Sequence, residues 1–190
     1  MNSAELSDQE IAQTLRDDPE LFGVIIDRYQ AKLERYVRRI SSLRGDALQD
    51  LIQDIFSKAY VYNETYDPRL SYNSWIYRIA HNETINLWKR EKKRLHPSFD
   101  GELSSELVGV LLDDSTREEI DMAADQDLVK DALSKLKIKD SSILTLRFFD
   151  ELSYGEISDV LKIPEGTVAT NIYRAKKKLR REIETLMKTP

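Results

Sequence analysis

The stretch from Ser153 to Val168, SYGEISDVLKIPEGTV, has the pattern of two short helices joined by a tight turn. Ser153 and Glu156 match the S-x-x-E capping box that begins a helix, and Pro164 marks a turn before the second helix. Apolar residues recur at steps of three and four on both sides of this turn, as in helices that share a buried face. The stretch therefore predicts a helix-turn-helix whose second helix continues to about Ile183.

The second helix of this pair is polar and basic outside its apolar stripe. Residues 167–190 contain seven Lys or Arg and two Glu, and such side chains can contact bases or phosphates. The alternative is an ordinary helical hairpin whose basic end complements the helix dipole. DNA binding is preferred because the caps, the turn and the polarity coincide. The residues predicted to contact duplex DNA are Thr167, Ala169, Thr170, Asn171, Tyr173, Arg174, Lys177 and Arg181.

Lys162 is the residue that suits this turn least. Many helix-turn-helix turns have Gly after the first helix, whereas this chain has Lys. A left-handed conformation costs a non-glycine residue about 1–2 kcal/mol. The sequence leaves open whether Lys162 adopts that conformation or the chain uses a different turn.

Helical periodicity also dominates the rest of the chain, and no strand pattern competes with it. Asp18 and Pro19 predict an N-cap and a first helical residue, and apolar stripes follow through 22–40 and 48–59. A third long helix is predicted from about 74 to 93. We therefore expect an all-α protein with two small helical domains.

Charge is distributed unevenly along the chain. The net charge is −5, but residues 86–94 carry +4 and residues 167–190 carry +5, whereas residues 100–127 carry −9. This asymmetry predicts two basic helices separated by an acidic linker.

The domain boundaries follow from these patterns. We place the first domain at 1–94, the acidic linker at 95–122 and the second domain at 123–190. The linker is expected to contain a short helical piece around 107–112. In the second domain, Asp140 is predicted to cap a helix.

The composition excludes several classes of protein. The chain has no Cys, which excludes disulfides and thiolate metal sites. No apolar run approaches the roughly 18 residues of a membrane span, and the acidic N-terminal stretch is unlike a signal peptide. His81 and His96 lack metal-ligand spacing, and the acids Asp113 and Asp114 have no nearby His. We expect a cytoplasmic protein with no cofactor, no bound metal and no catalytic activity.

The predicted third helix carries aromatic, amide and cationic side chains together. Aromatic rings can stack unpaired bases, Asn can read base edges, and Lys and Arg can follow phosphates. Two plainer interpretations remain, in which Trp75 belongs to the core and the basic run from Lys89 is a solvated face. The residues of interest in this helix and the preceding loop are Tyr66, Arg69, Ser71, Trp75, Arg78, Asn82, Lys89 and Arg90.

Asp50, Gln53 and Asp54 form a smaller polar group on the preceding helix. Their spacing of three and four places them on one side of that helix. They suit docking on a basic partner helix, and the alternative is a solvated polar face.

Four motifs occur in an order that resembles a known family. They are DLIQD at 50–54, WIYRIAHN at 75–82, LSYGEI at 152–157 and IPEGTV at 163–168. In this order and spacing, on a chain of this length, they resemble the extracytoplasmic-function (ECF) sigma factors of bacterial RNA polymerase.

The resemblance, which covers about 21–94 and 129–183, implies a role for each domain. The first domain is similar to sigma region two, in which Asp50, Gln53 and Asp54 would dock on the coiled coil of the largest subunit of core RNA polymerase. The second is similar to region four, whose recognition helix would read the minus-thirty-five element of promoter DNA. The linker would thread toward the polymerase cleft.

The resemblance also implies that region two opens the promoter. The loop 66–73 and Asn82 would take a flipped base of the minus-ten element, together with the other residues of interest in this loop and helix. Duplex opening costs about 1.4 kcal/mol per base-pair step, and capture of flipped bases offsets part of that cost. Many members of the family are held by an anti-sigma factor, so such a factor is a candidate partner.

Two places depart from the family. Ala169, Thr170 and Asn171 replace a triplet that is often basic or rich in hydroxyls, so this chain lacks a phosphate-binding cation there. The second place is the loop 67–71, whose sequence DPRLS is individual. The main alternative function is a helix-turn-helix repressor or activator, which would bind duplex DNA tightly without polymerase.

Overall fold

The computed structural model of the protein describes residues 6–91, 96–99, 103–112 and 125–188, and within these ranges all regular structure is helical. The prediction of an all-α fold is confirmed. The helices are α1 (Asp8–Thr14), α2 (Phe22–Ser41), α3 (Gly45–Val61), α4 (Tyr72–Arg90), α5 (Ser105–Leu112), α6 (Asp125–Lys135), α7 (Ile138–Leu144), α8 (Tyr154–Leu161) and α9 (Glu165–Met187).

Helices α1 to α4 form the first bundle. The apolar stripe of α2 supplies its centre, where Ile25, Leu33 and Ile40 are fully buried, and α3 adds Ile55 and Ala59 from its own stripe. Complete burial of a large apolar side chain stabilises a fold by about 1.5–3 kcal/mol. The bundle is therefore held by the stripes that predicted its helices.

Helices α6 to α9 form the second bundle. A short π-helical turn, Thr145–Phe149, follows α7 and leads to the helix-turn-helix of α8 and α9. The predicted stripe of α9 is buried along its whole length, from Val168 to Ile183. Burial of this one face leaves the opposite face of α9 at the surface.

Helix α5 lies in the acidic linker and confirms the short helix expected there. Its residues Leu111 and Leu112 are buried, and the Arg180 guanidinium donates a hydrogen bond of 2.9 Å to the Leu112 carbonyl. The last turn of α5 is thereby fixed against α9.

One predicted cap is confirmed in position and one is wrong. Asp18 is the N-cap and Pro19 the first residue of a 3₁₀ turn that leads into α2 at Phe22, but the Asp18 side chain makes no capping hydrogen bond. Helix α7 starts at Ile138, so Asp140 lies in its first turn, where it binds Lys178 from α9. The Asp140 carboxylate thus binds Lys178, which is distant in sequence, and does not cap α7.

The two bundles are in contact in this structure. Helix α8 lies against α4, and α7 lies against α2. The ring of Phe99, from the described part of the linker, contacts Phe149 with 5.4 Å between centroids. The two predicted domains thus share a buried interface.

Candidate nucleic-acid interface

The turn between α8 and α9 is built by local hydrogen bonds. Ser153 and Glu156 form the predicted capping box, in which the Glu156 N–H donates to Ser153 Oγ and the Ser153 N–H donates to Glu156 Oε2 at 3.0 Å. Lys162 is left-handed, with φ 52° and ψ 48°. The Ser158 hydroxyl donates to the Ile163 carbonyl at 2.7 Å. Lys162 therefore adopts the unfavourable conformation, and Ser158 ties the next residue back to α8.

The outer face of α9 presents most of the residues predicted to contact duplex DNA. Tyr173 is 64 % exposed, which is unusual for a large aromatic side chain. A helix with one face buried and a polar face exposed is the geometry with which a recognition helix enters the major groove. Exposed residues are Ala169, Thr170, Tyr173, Arg174, Lys177 and Arg181, and half-buried residues are Thr167 and Asn171.

Two other cations of α9, of which Lys178 is itself exposed, bind groups on other helices of the protein. Lys178 binds both carboxylate oxygens of Asp140 at 2.7 Å, and Arg180 donates to the carbonyl of Leu112. Sequence alone does not separate these residues from Lys177 and Arg181. The structure leaves the latter two at the exposed surface.

The aromatic residues next to the 67–71 loop are mostly buried. Tyr66, Tyr72 and Trp75 form one cluster, with centroids 5.1–5.6 Å apart. Trp75 is 3 % exposed and Tyr66 is 8 % exposed. Burial at this level agrees with the core interpretation of Trp75. The Tyr66 hydroxyl donates to the Leu70 carbonyl at 2.7 Å and so fixes the loop.

The other predicted minus-ten residues line the loop and the outer side of α4. Arg69 is exposed and binds Asp67 at 2.6 Å, and this hydrogen bond lowers the pKa of Asp67 to about 2. Ser71 is the N-cap of α4 and accepts a hydrogen bond from the Ser74 N–H. Arg78 is half-buried, whereas Asn82, Lys89 and Arg90 are exposed.

The predicted polymerase-docking residues share one exposed face of α3. Asp50, Gln53 and Asp54 are all exposed, and Leu51 and Ile55 on the other side of the helix are buried. Gln53 also lines a groove of about 470 Å³ between α2 and α3. The face combines carboxylates with an adjoining apolar groove.

Two acidic residues lie between the bundles, and the sequence predicted neither of their contacts with the other bundle. Glu156 accepts hydrogen bonds from Ser71 Oγ at 3.0 Å and Asn73 Nδ2 at 3.3 Å. Asp150 is half-buried beside Arg39 and Tyr77 with its Oδ2 atom shielded from solvent, and burial of the carboxylate raises its pKa to about 7. No sequence pattern predicts these contacts of Glu156 and Asp150, because their partners are far away along the chain.

Metal and membrane sites were also sought in residues 6–91, 96–99, 103–112 and 125–188. No group of three His, Cys, Asp or Glu in these ranges could hold a metal ion. No helix among them is long and apolar enough to cross a membrane. Asp113, Asp114 and the basic residues 92–94 lie outside the described residues.

Taken together, the fold and the exposed polar faces define a two-part helical DNA-binding protein. Two family models match it in the same order. Sigma-70 region 2 matches residues 25–94, and Sigma-70, region 4 matches residues 126–179.

Relatives extend the match to nearly the whole chain. The ECF RNA polymerase sigma factor SigW of Bacillus subtilis is 30 % identical over 93 % of this chain and 96 % of its own. The ECF sigma-E factor of Haemophilus influenzae is also 30 % identical, over 96 % and 98 %. The chain therefore belongs to the ECF RNA polymerase sigma factors, and it is a transcription initiation factor.

Solved structures share the fold. CnrH, solved in complex with the cytosolic domain of CnrY, matches with a TM-score of 0.66 and 22 % identity over 94 % of this chain and 97 % of its own. RpoE of Bartonella quintana, solved with the anti-sigma factor NepR, matches with a TM-score of 0.62 and 18 % identity over 86 % and 96 %.

Proposed function

We propose that this sigma factor docks on core RNA polymerase through α3 and on promoter DNA through α4 and α9. The observation that supports this most strongly is that each helix keeps one face buried and turns its polar residues outward. Asp50 on α3, Asn82 on α4 and Arg174 on α9 are all exposed. Rigid helices hold binding groups more accurately than loops do.

Each part of the chain has its own task in this proposal. Residues 1–94 act as region two, which binds the polymerase and opens the minus-ten element. Residues 95–122 act as the linker toward the polymerase cleft. Residues 123–190 act as region four, which binds the minus-thirty-five element.

Strand opening falls to α4 and the loop before it. Without nucleotide hydrolysis, capture of unpaired bases must offset an opening cost of about 1.4 kcal/mol per base-pair step. We assign base capture to Asn82 and the 66–73 loop, and phosphate contacts to Lys89 and Arg90. Because Tyr66 and Trp75 are buried, we assign them to supporting this loop from beneath.

Region four contacts duplex DNA through the exposed face of α9. Thr170, Asn171 and Arg174 are the proposed base-reading or positioning groups. Lys177 and Arg181, further along the same helix, contact phosphates and make the affinity dependent on salt.

We also propose that the protein is cytoplasmic, catalyses no reaction itself and needs no cofactor. The relatives CnrH and RpoE were solved with CnrY and with an anti-sigma factor, so we propose that an anti-sigma factor also binds this chain.

A pull-down with core RNA polymerase tests the docking face. Asp50→Ala with Gln53→Ala removes one carboxylate and one amide from α3, and we expect roughly tenfold or greater loss of affinity, about 1.4 kcal/mol or more. The matched control, Gln126→Ala with Asp131→Ala, removes the same two groups from α6. Equal retention of both double variants would refute the docking assignment.

A further inference from the structure

Helix α1 precedes residues 25–94, which match Sigma-70 region 2. Its seven residues are far fewer than the roughly 12–15 that an isolated helix needs in water, so contacts with the rest of the bundle must hold it. Ile11, and Leu15 at its C-cap, are buried and supply the apolar part of these contacts. The polar contacts of α1 reach both ends of the loop that carries the proposed minus-ten role.

The first polar contact joins α1 to α2 through Asp8. Its Oδ2 atom accepts a hydrogen bond of 2.6 Å from the Tyr29 hydroxyl, and its Oδ1 atom accepts one of 2.6 Å from the Arg28 guanidinium. Burial, and then the hydrogen bond to Asp8, raise the pKa of Tyr29, so the hydroxyl keeps its proton and remains a donor. Hydrogen bonds to a carboxylate are roughly twice as strong as those between neutral groups. Asp8 therefore fixes the position of the Tyr29 ring.

Tyr29 connects this contact to the end of the loop. Its ring makes a T-shaped contact with the ring of Tyr72, with 6.0 Å between centroids, and Tyr72 is the first residue of α4. Tyr72 in turn contacts Tyr66, whose hydroxyl donates to the Leu70 carbonyl. Because a protein core is close-packed, displacement of one ring must displace its neighbours. An unbroken series of contacts thus joins Asp8 to the loop.

The second polar contact lies at the start of the loop. Asn63, the first residue of the 3₁₀ turn Asn63–Thr65, donates a hydrogen bond of 2.7 Å from Nδ2 to the Ala12 carbonyl. Ala12 lies in the last turn of α1, where carbonyls lack partners within the helix, and Asn63 supplies one. The Tyr66 N–H donates to the Asn63 carbonyl at 3.0 Å. The loop therefore begins directly from a turn that α1 fixes.

We propose that helix α1 positions the base-capture loop 66–73, which it holds at one end through Asn63 and at the other through Asp8 and Tyr29. The inference rests on the proposed role of this loop in the capture of unpaired minus-ten bases. Binding groups must be held within about 0.5 Å of their productive geometry, so a small shift of the loop weakens capture. Asp8, Tyr29 and Asn63 are positioning residues, since they act on the DNA through the loop.

Tyr29→Phe is the first test variant, because it removes the hydroxyl that binds Asp8 and keeps the ring that packs against Tyr72. Asn63→Ala is the second, and it removes the amide at the other end of the loop. Ile40→Val is the matched control. It removes one methyl group from a fully buried residue near the far end of α2, about 16 Å along the helix from Tyr29. The control therefore loosens the core of the same bundle without touching α1 or the loop.

Two kinds of template separate positioning from general stability. The first is an intact promoter fragment that core polymerase transcribes with the unaltered chain. The second carries one abasic nucleotide in the minus-ten non-template strand, at the position that most weakens opening by the unaltered chain. An abasic nucleotide keeps the phosphate backbone but offers no base to capture. Permanganate reactivity of unpaired thymines measures open complexes, and pull-down with core polymerase measures docking.

Positioning by α1 predicts a loss that depends on the template. We expect Tyr29→Phe to lower open-complex formation about fivefold on the intact template and less than about twofold on the abasic one, because the loss passes through the captured base. Asn63→Ala follows the same pattern. Ile40→Val changes opening by the same factor on both templates, and all three variants still dock on core polymerase.

Equal losses on both templates for Tyr29→Phe and Asn63→Ala overturn the positioning role. Unchanged opening by both variants on the intact template overturns it as well, and so does a loss of docking that accounts for the loss of opening. If no abasic position weakens opening by the unaltered chain, the proposed base capture itself fails, and the positioning role falls with it. That last outcome is distinguishable from the others because it concerns the unaltered chain alone.

Discussion

At the scale of single residues, Lys162 sets the geometry of the helix-turn-helix turn. The sequence identified the misfit, since Lys stands where Gly is common, but it could not decide between strain and another turn. The left-handed backbone, φ 52° and ψ 48°, settles the matter in favour of strain. Packing of α8 and α9 around their shared apolar face outweighs the local cost of about 1–2 kcal/mol.

Replacing Lys162 by Gly should therefore stabilise the protein. We expect Lys162→Gly to raise the free energy of unfolding by about 0.5–1 kcal/mol, because Gly adopts this conformation without strain but loses more entropy on folding. Lys162→Ala is the control, because its Cβ keeps the strain. Urea denaturation measures both variants, and a glycine variant no more stable than the alanine variant would contradict the strain.

Asp150 is a residue whose environment the sequence could not predict. It follows the π-helical turn and meets Arg39, Arg35 and Lys32 of α2 and Tyr77 of α4. Burial nevertheless dominates and raises its pKa to about 7 from an ordinary value of 3.8. Between about pH 4 and pH 7 the folded protein therefore keeps a proton on Asp150 that the unfolded chain has already released. The stability that Asp150 contributes falls as pH rises through this range, and the loss is complete once pH has passed 7.

Asp150→Asn should remove this dependence on pH. We expect the stability of the variant relative to the original chain to increase from pH 5 to pH 8, by on the order of 2–4 kcal/mol. The difference levels off above pH 8. His81, whose pKa is lowered by burial to about 4, acts in the opposite direction but is present in both proteins. Urea denaturation across this range provides the measurement, and parallel curves would be incompatible with a raised pKa.

At the scale of helices, periodicity was the most informative signal. The stripe of α9 is buried from Val168 to Ile183 as predicted, and the Ser153 capping box forms. Local capping patterns failed where distant contacts intervened, as at Asp140, whose carboxylate binds Lys178 of α9. Local propensity is a weak prior that tertiary contacts override. The exposed face of α9 could nevertheless be predicted from the buried apolar stripe on the opposite side of the helix.

That outer face predicts how duplex binding depends on salt. Reversing Lys177 and Arg181 to Glu should weaken promoter binding by the polymerase complex and reduce the salt slope by about one for each phosphate that is no longer neutralised. Lys135→Glu with Lys139→Glu reverses two exposed cations on α6 and α7 and serves as the control. Filter binding between 50 and 200 mM salt compares them. An unaltered slope in the α9 variant would show that these two cations do not bind phosphates.

At the scale of the whole molecule, the sequence predicted the two bundles but not their contact. Ser71 and Glu156 are 85 residues apart, and a hydrogen bond across such a distance produces no periodicity in the chain. For the same reason the sequence did not predict the burial of Tyr66, or the hydrogen bonds of Lys178 to Asp140 and of Arg180 to the Leu112 carbonyl. Composition and spacing indicate which faces are polar, whereas tertiary packing decides which polar groups remain exposed.

The central claim is that this chain directs core RNA polymerase to promoters. Run-off transcription over a pool of genomic promoter fragments tests it most directly, with core polymerase alone as the reference. We expect new transcripts that begin at a limited set of fragments sharing minus-ten and minus-thirty-five elements. Asp50→Ala with Gln53→Ala should abolish most of them. Transcripts no different from those of core polymerase alone would contradict the account.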